Sequence, residues 1–443
     1  MISARKNYGV MFVGLWLAGL LYAAVAAAWA GFDWETWKEI TGAAPPEVSS
    51  PQAGQAELIP LLSVASGDAE TDAVSEWEAR SAAIRDALGA LIGVPANIER
   101  DGQPARIGES IAEDGYTRTH LLIPGEAGDP IPAFLLEPDE PIATPAPVMI
   151  VLHQTQAPGK KEPCGLTGDP EMAFAMELAQ RGYLCIAPDA IGFGERIAED
   201  GQPYDGAHDF YRRHPEWSFF GKMNWDVSRI VDYIETLPQA DSGAIGVIGH
   251  SHGAYGAIMA AAFEPRIALA VASCGFTTLR ADPNPERWSH LTALLPRLGF
   301  YTDDIAQAPI DWHEIIALIA PRPFFNWATL DDSIFPNTES LEEVYRQVES
   351  VYALHDARDR FEGRLAPGPH AFPQTSRNDA YEWIGLHLTP LRPRRRAVTR
   401  RRPLARPGDR NTTGAVEYGP LIKLEIFLNK NTISSYNTLQ PSL

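Results

Sequence analysis

The run Gly249-His250-Ser251-His252-Gly253 constrains this chain more than any other feature. An apolar run over residues 244–248 precedes it, and the small-residue stretch over residues 254–262, which reads as a helix, follows it. Strand, G-x-S-x-G and helix in that order make a very tight turn, in which the central serine takes a strained conformation that lifts its hydroxyl out of the sheet. The pattern alone is cheap in a chain with 36 glycines. Its flanking strand and helix are what give it weight. The competing reading is an ordinary Gly-rich connection.

Strands and helices alternate around this turn. Residues 148–153, 183–187, 267–272, 324–329 and 360–365 read as strands, and residues 170–181, 225–237, 311–320, 338–354 and 376–388 as helices. Continuously apolar strands are those covered on both sides. The pattern therefore predicts an α/β fold, a mostly parallel sheet with helices on both faces. Ahead of it, residues 75–91 read as an amphipathic helix, and residues 117–123 and 131–136 as a hairpin around 125–129. Two long connections, 195–224 and 276–310, interrupt the rhythm and are expected to form a lid on the ligand-binding side of the sheet. Their aromatics (Tyr204, Phe210, Tyr211, Trp217, Phe219, Phe220, Trp288), with Trp312 just beyond, either line a cleft or pack the lid onto the body.

The chain ends carry other signals. Arg5 and Lys6 precede an apolar run over residues 8–28, and Ala28-Trp29-Ala30 offers a small-residue cleavage site. Residues 1–30 thus read as a signal peptide or, alternatively, a membrane anchor, which implies export with a possible membrane tether. Residues 31–70, rich in Ala, Pro, Ser and Gly, read as an N-terminal extension. Residues 71–388 read as the folded domain, and 389–443 as a basic, disordered tail with nine Arg and two Lys against one Asp and two Glu. The net charge of −20 is therefore concentrated in the body. An acidic body argues against nucleic acid as a partner. Oligomeric state leaves no sequence signature here.

A serine hydroxyl needs a base to take its proton, and the base needs a carboxylate to orient it. In chains built on this turn the acid and then the histidine follow the serine. After the strand at 324–329 comes Leu330-Asp331-Asp332-Ser333-Ile334-Phe335-Pro336, and after the last strand comes Pro367-Gly368-Pro369-His370-Ala371-Phe372-Pro373. Ser251, Asp332 and His370 are the expected catalytic set, with Asp331 in reserve. His250 and His252 flank the serine too closely to serve as its base, while His355 and His387 suit surface or packing roles. Two backbone N–H groups must face the developing oxyanion. One is expected from His252 and the other from Gln154 or Thr155, in the loop after the strand at 148–153.

No metal or cofactor is expected. His313-Glu314 might open a zinc-binding H-E-x-x-H, but Ala317 stands where the second histidine belongs. Cys164, Cys185 and Cys274 make no disulfide framework, and Cys185 and Cys274 read as buried apolar thiols. Asp189 reads as the brace of a turn, and Glu195 with Arg196 as a structural ion pair.

These residues carry a likeness. The stretch from Ala187 through Pro188-Asp189-Ala190-Ile191-Gly192-Phe193-Gly194 to Glu195-Arg196, the serine turn, Ala320-Pro321-Arg322-Pro323, and the segments holding Asp332 and His370 resemble the α/β-hydrolase superfamily. The branch they resemble most is that of dienelactone hydrolases and acetyl-xylan esterases, over residues 75–388. The resemblance implies a serine esterase acting on a small-molecule or carbohydrate ester through an acyl-enzyme. Two departures matter. A serine replaces the cysteine of dienelactone hydrolases proper, and His252 stands where glucuronoyl esterases carry an arginine, which counts against that assignment. The alternatives are a serine peptidase of the same fold and a non-catalytic binding protein built on it.

Overall fold

The computed structural model describes residues 32–48, 53–62, 70–93 and 98–388. The readings of residues 1–30 as a signal peptide or anchor and of 389–443 as a basic tail lie outside the described residues. Among those described, no helix is long and apolar enough to cross a membrane.

Two helices, α1 (Trp34–Thr41) and α2 (Glu70–Ile92), precede a meander of β1 (Arg106–Glu113), β2 (Tyr116–Glu126) and β3 (Asp129–Pro138). Then follow β4 (Ala146–Leu152), α3 (Phe174–Gln180), β5 (Leu184–Pro188), α4 (Ala207–Arg213), α5 (Phe219–Ile234), β6 (Ala240–His250) and α6 (His252–Phe263). The chain continues through β7 (Ile267–Ser273), α7 (Trp312–Ala317), β8 (Phe324–Thr329), α8 (Leu341–Leu354), β9 (Phe361–Ala366) and α9 (Gln374–His387). The nine strands form one sheet in the order β1-β2-β3-β5-β4-β6-β7-β8-β9. The pairings β1–β2, β2–β3 and β3–β5 are antiparallel. All the others are parallel.

Side chains that alternate along a strand go to opposite faces, and here each face has its own core. Val148, Ile150, Ile245 and Val247 join the core under α2, α5, α6, α7 and α8. Their alternates Met149, Val151, Ala244 and Ile248 join a second core with Phe174 and Leu178 of α3 and Ala380 and Ile384 of α9. Helices thus cover both faces, which is why the central strands are apolar at every position.

Local chemistry sets several boundaries that the hydrophobic pattern misplaces. Helix α5 starts at Phe219, six residues before the sequence expectation, because the Ser218 side chain caps it by accepting from the Gly221 N–H. Helix α7 starts at a capping box, in which Asp311 and Glu314 each take the other's backbone N–H. This use of Glu314, together with its ion pair to Arg80, is structural.

In its described part the extension over residues 31–70 packs onto the body. Trp37 of α1 is 1% exposed, and Phe32 and Leu61 are buried too. Trp34 packs its ring 4.5 Å from that of His290 and donates its indole N–H to the Pro296 carbonyl. The seven aromatics named above in the two long connections, and Trp312 beyond them, are buried as well, each at 3% or less. They pack the connections onto the body; they do not line an open cleft.

Candidate active site

Strand β6 ends at His250 and α6 begins at His252, so Ser251 alone makes the turn. Its backbone sits at φ 55°, ψ −116°, a region costly for a residue with a side chain. Two contacts impose it. The Ser251 N–H donates to the Ser273 carbonyl at the end of β7, and the helix start presses against its neighbours. A Cβ on Gly249 would lie 2.2 Å from the Gly253 carbonyl, and one on Gly253 would lie 2.1 Å from the Leu152 oxygen. The glycines of the motif are therefore demanded by close backbone approach.

The next two strand ends bring the partners. Asp332, in the loop after β8, is 4% exposed. Its Oδ1 accepts the N–H groups of Ile334 and Phe335, both at 2.8 Å. Its Oδ2 lies 2.7 Å from His370 Nδ1, after β9. The carboxylate makes Nδ1 the protonated nitrogen and leaves the Nε2 lone pair free for a hydroxyl proton. Burial pulls the His370 pKa down, but hydrogen bonds to Asp332 and Cys274 outweigh it and raise it to about 9. Among the described residues no hydrogen bond joins Ser251 Oγ to His370. Such contacts often tighten only when substrate binds. Asp331 points elsewhere, accepting the Gly368 N–H.

The other histidines separate by environment. His250 lies 4.7 Å from the His370 ring at a tilt of 43° and bonds Ser273 Oγ; burial drives its pKa well below the usual value, so it packs as a neutral ring. Burial lowers that of His252 to about 3. His355 is exposed at the end of α8. His387 packs on Trp383.

On the oxyanion side, His252 is the first residue of α6, where backbone N–H groups lack helical acceptors and favour negative charge. Gln154 and Thr155 follow the end of β4, against which the start of α6 is pressed. His153 fixes this loop. Its Nδ1 donates to the Gln154 carbonyl at 2.6 Å, and its Nε2 accepts the Ala190 N–H.

The turn after β5 braces the same loop. Asp189 accepts the Lys160 N–H and the Glu195 N–H, and pairs with the Lys160 ammonium. Glu195 and Arg196 do not pair with each other, contrary to the sequence expectation. Glu195 pairs with Lys160 and His120, and Arg196 with Asp129 and Asp226.

Sequence reasoning missed two neighbours of His370. His250 was set aside as a flanking residue, yet its ring forms the wall behind the imidazole. Cys274 was read as a buried apolar thiol. It is buried and unpaired by disulfide, but it stands beside His370 and Asp332. Nothing in the chain around Cys274 signals this nearness, which the sheet creates by placing β7, β8 and β9 side by side.

A family model for fungal glucuronyl esterases matches residues 190–354. The 4-O-methyl-glucuronoyl methylesterase 1 of Wolfiporia cocos is 28% identical over 207 residues, 41% of this chain and 49% of the relative. The 4-O-methyl-glucuronoyl methylesterase of Schizophyllum commune is 28% identical over 217 residues, 45% of this chain and 52% of the relative. The chain thus spans about half the length of these relatives. Among solved structures, a glucuronoyl esterase from Solibacter usitatus superposes with a TM-score of 0.58 at 17% identity, covering 75% of this chain and 98% of that one. A promiscuous CE15 esterase from a marine bacterial metagenome gives 0.57 at 18% identity, covering 77% and 100%. At that identity the superpositions speak to fold.

Proposed function

We propose that this chain, a member of the α/β-hydrolase superfamily, is a serine carboxylic-ester hydrolase that acts on carbohydrate esters. The observation that carries the reading is the pair formed by His370 and the buried Asp332, on the strand ends beside the strained Ser251.

Ser251 Oγ attacks the ester carbonyl carbon while His370 Nε2 takes its proton. Asp332 holds the ring and stabilises the imidazolium. The carbonyl oxygen, now anionic, receives N–H groups from His252 and from Gln154 or Thr155. The intermediate collapses, the alcohol leaves with the proton from His370, and Ser251 carries the acyl group. Water then attacks the acyl carbon, again giving its proton to His370, and the acid departs. His252 is neutral, so the oxyanion is held by backbone dipoles without an adjacent guanidinium.

Two ester classes compete for the substrate. The names of the relatives favour esters in which a glucuronic acid supplies the acyl group, and we put these ahead of acetylated xylan. Export, resting on the layout of residues 1–30, is part of the same reading. Purified full-length protein and its Ser251→Ala variant test it on p-nitrophenyl acetate, methyl glucuronate and acetylated xylan. Serine-dependent turnover of methyl glucuronate supports the reading. Serine-dependent release of acetate from xylan alone would reverse the order of substrates. No turnover and no fluorophosphonate labelling of folded protein would replace the enzyme with a binding protein.

A further inference from the structure

The ester cycle leaves one reactive group at its centre unused. Cys274 follows β7 directly, with its N–H bonded to the Trp327 carbonyl. Its sulfur is buried, 3.8 Å from Thr329 Oγ1 and 3.7 Å from the Ala371 carbonyl. One donor atom from each of Cys274, Asp332 and His370 lies within 4.8 Å of the other two. The three residues follow the neighbouring strands β7, β8 and β9, so the sheet sets their spacing.

The donor set is one sulfur, one imidazole nitrogen and one carboxylate oxygen. Magnesium and calcium prefer oxygen alone, whereas zinc accepts this mixture. Zinc takes sulfur at about 2.3 Å and nitrogen or oxygen at about 2.0–2.2 Å, which puts tetrahedral ligand atoms roughly 3.3–3.7 Å apart. Reaching that spacing asks the cluster to contract by about 1 Å at its widest and the His370–Asp332 contact to open by about 0.6 Å. Side-chain rotation supplies movements of that size.

We propose that Cys274, Asp332 and His370 form an inhibitory site for one thiophilic divalent cation, with zinc as the type. On binding, the thiol loses its proton to solvent and sulfur bonds the metal. The His370 proton moves from Nδ1 to Nε2, and the freed Nδ1 lone pair bonds the metal. Asp332 exchanges its hydrogen bond for a metal bond. The two anionic ligands balance the dication. A ring protonated on Nε2 has no lone pair for the Ser251 proton, so the loaded protein cannot start the ester cycle. The inhibition rests on the hydrolase reading; the binding does not.

The test uses full-length protein stripped with EDTA and titrated with zinc chloride. Bound zinc is measured by equilibrium dialysis, and cobalt in place of zinc reports a sulfur ligand through its thiolate charge-transfer band. The expected result is one zinc per chain and ester hydrolysis reduced at least about tenfold, restored by EDTA and unmoved by magnesium. Cys274→Ala, and Cys274→Ser should the first fail to fold, should bind zinc at least about tenfold more weakly and lose the cobalt–thiolate band. Full hydrolysis with zinc bound, or equal zinc inhibition of the Cys274 variants, would overturn the proposal. If metal-free protein hydrolyses no ester, the hydrolase reading fails, and the cobalt band still decides the site.

Discussion

His370 Nδ1 lies 2.7 Å from Asp332 Oδ2, while the adjacent Asp331 binds the Gly368 N–H at 3.0 Å instead. Neighbouring carboxylates on one loop thus have different tasks. That of Asp332 is buried and aimed by two backbone N–H groups; that of Asp331 staples the loop preceding His370. Asp332→Asn keeps the shape but lets the ring adopt the wrong tautomer, and should lower kcat by about 10⁴. Asp331→Asn should change it by less than about tenfold, through loop position alone. Steady-state kinetics on one activated ester checks both. The reverse order would transfer the acid's role to Asp331.

A second expectation concerns pH. Burial pulls the His370 pKa down, yet Asp332 and Cys274 raise it to about 9. A base works only when unprotonated, so a raised pKa delays activity to higher pH. The acid limb of kcat/KM should therefore have its midpoint on the alkaline side of 7, displaced toward 9. Cys274→Ala removes one of the groups that raise the pKa, so it should move the midpoint down. A wild-type midpoint at or below 6.5 would contradict the assigned surroundings of the imidazole.

The sheet was legible in the sequence because its central strands are buried on both faces, as the split of Val148 and Ile150 from Met149 and Val151 illustrates. The serine turn was legible because close backbone contact leaves glycine no substitute. Asp332 and His370 were legible through chain order after strands. Less was legible where a fold brings distant positions together. Cys274 carries no signal of its nearness to His370, 96 positions along the chain. Strand β1 escaped because its residues are largely exposed and give no alternating pattern. The start of α5 escaped because Ser218 caps it ahead of its clearest apolar face.

In residues 31–70, which read as an N-terminal extension, Ala, Pro and Ser dilute a few large anchors that composition does not reveal. Trp37 is such an anchor, buried against Tyr211 and Phe300. Trp37→Ala should destabilise the folded chain by about 3–5 kcal/mol, as loss of a buried indole does. Urea unfolding of the variant checks this. A change within about 0.5 kcal/mol would show that Trp37 does not anchor the segment.

Two glycines three residues apart in α6 separate close backbone approach from ordinary helix packing. A Cβ on Gly253 would meet the Leu152 carbonyl oxygen at 2.1 Å and its carbon at 2.7 Å. These are backbone atoms of β4, which cannot move without shifting Gln154 and Thr155. A Cβ on Gly256 would meet only the ends of Leu152 and Met223, at 3.2 and 3.4 Å. Gly256→Ala sits in a helix interior, where alanine is favoured by about 0.5–1 kcal/mol, so its stability should hold or rise. Gly253→Ala should cost about 3 kcal/mol or more and lower kcat even in the folded fraction, because the oxyanion loop must retreat. Thermal unfolding and active-site labelling of the two variants, measured together, distinguish them. Equal tolerance at both positions would mean that the start of α6 does not press on β4, and the placement of the oxyanion donors would fall with it.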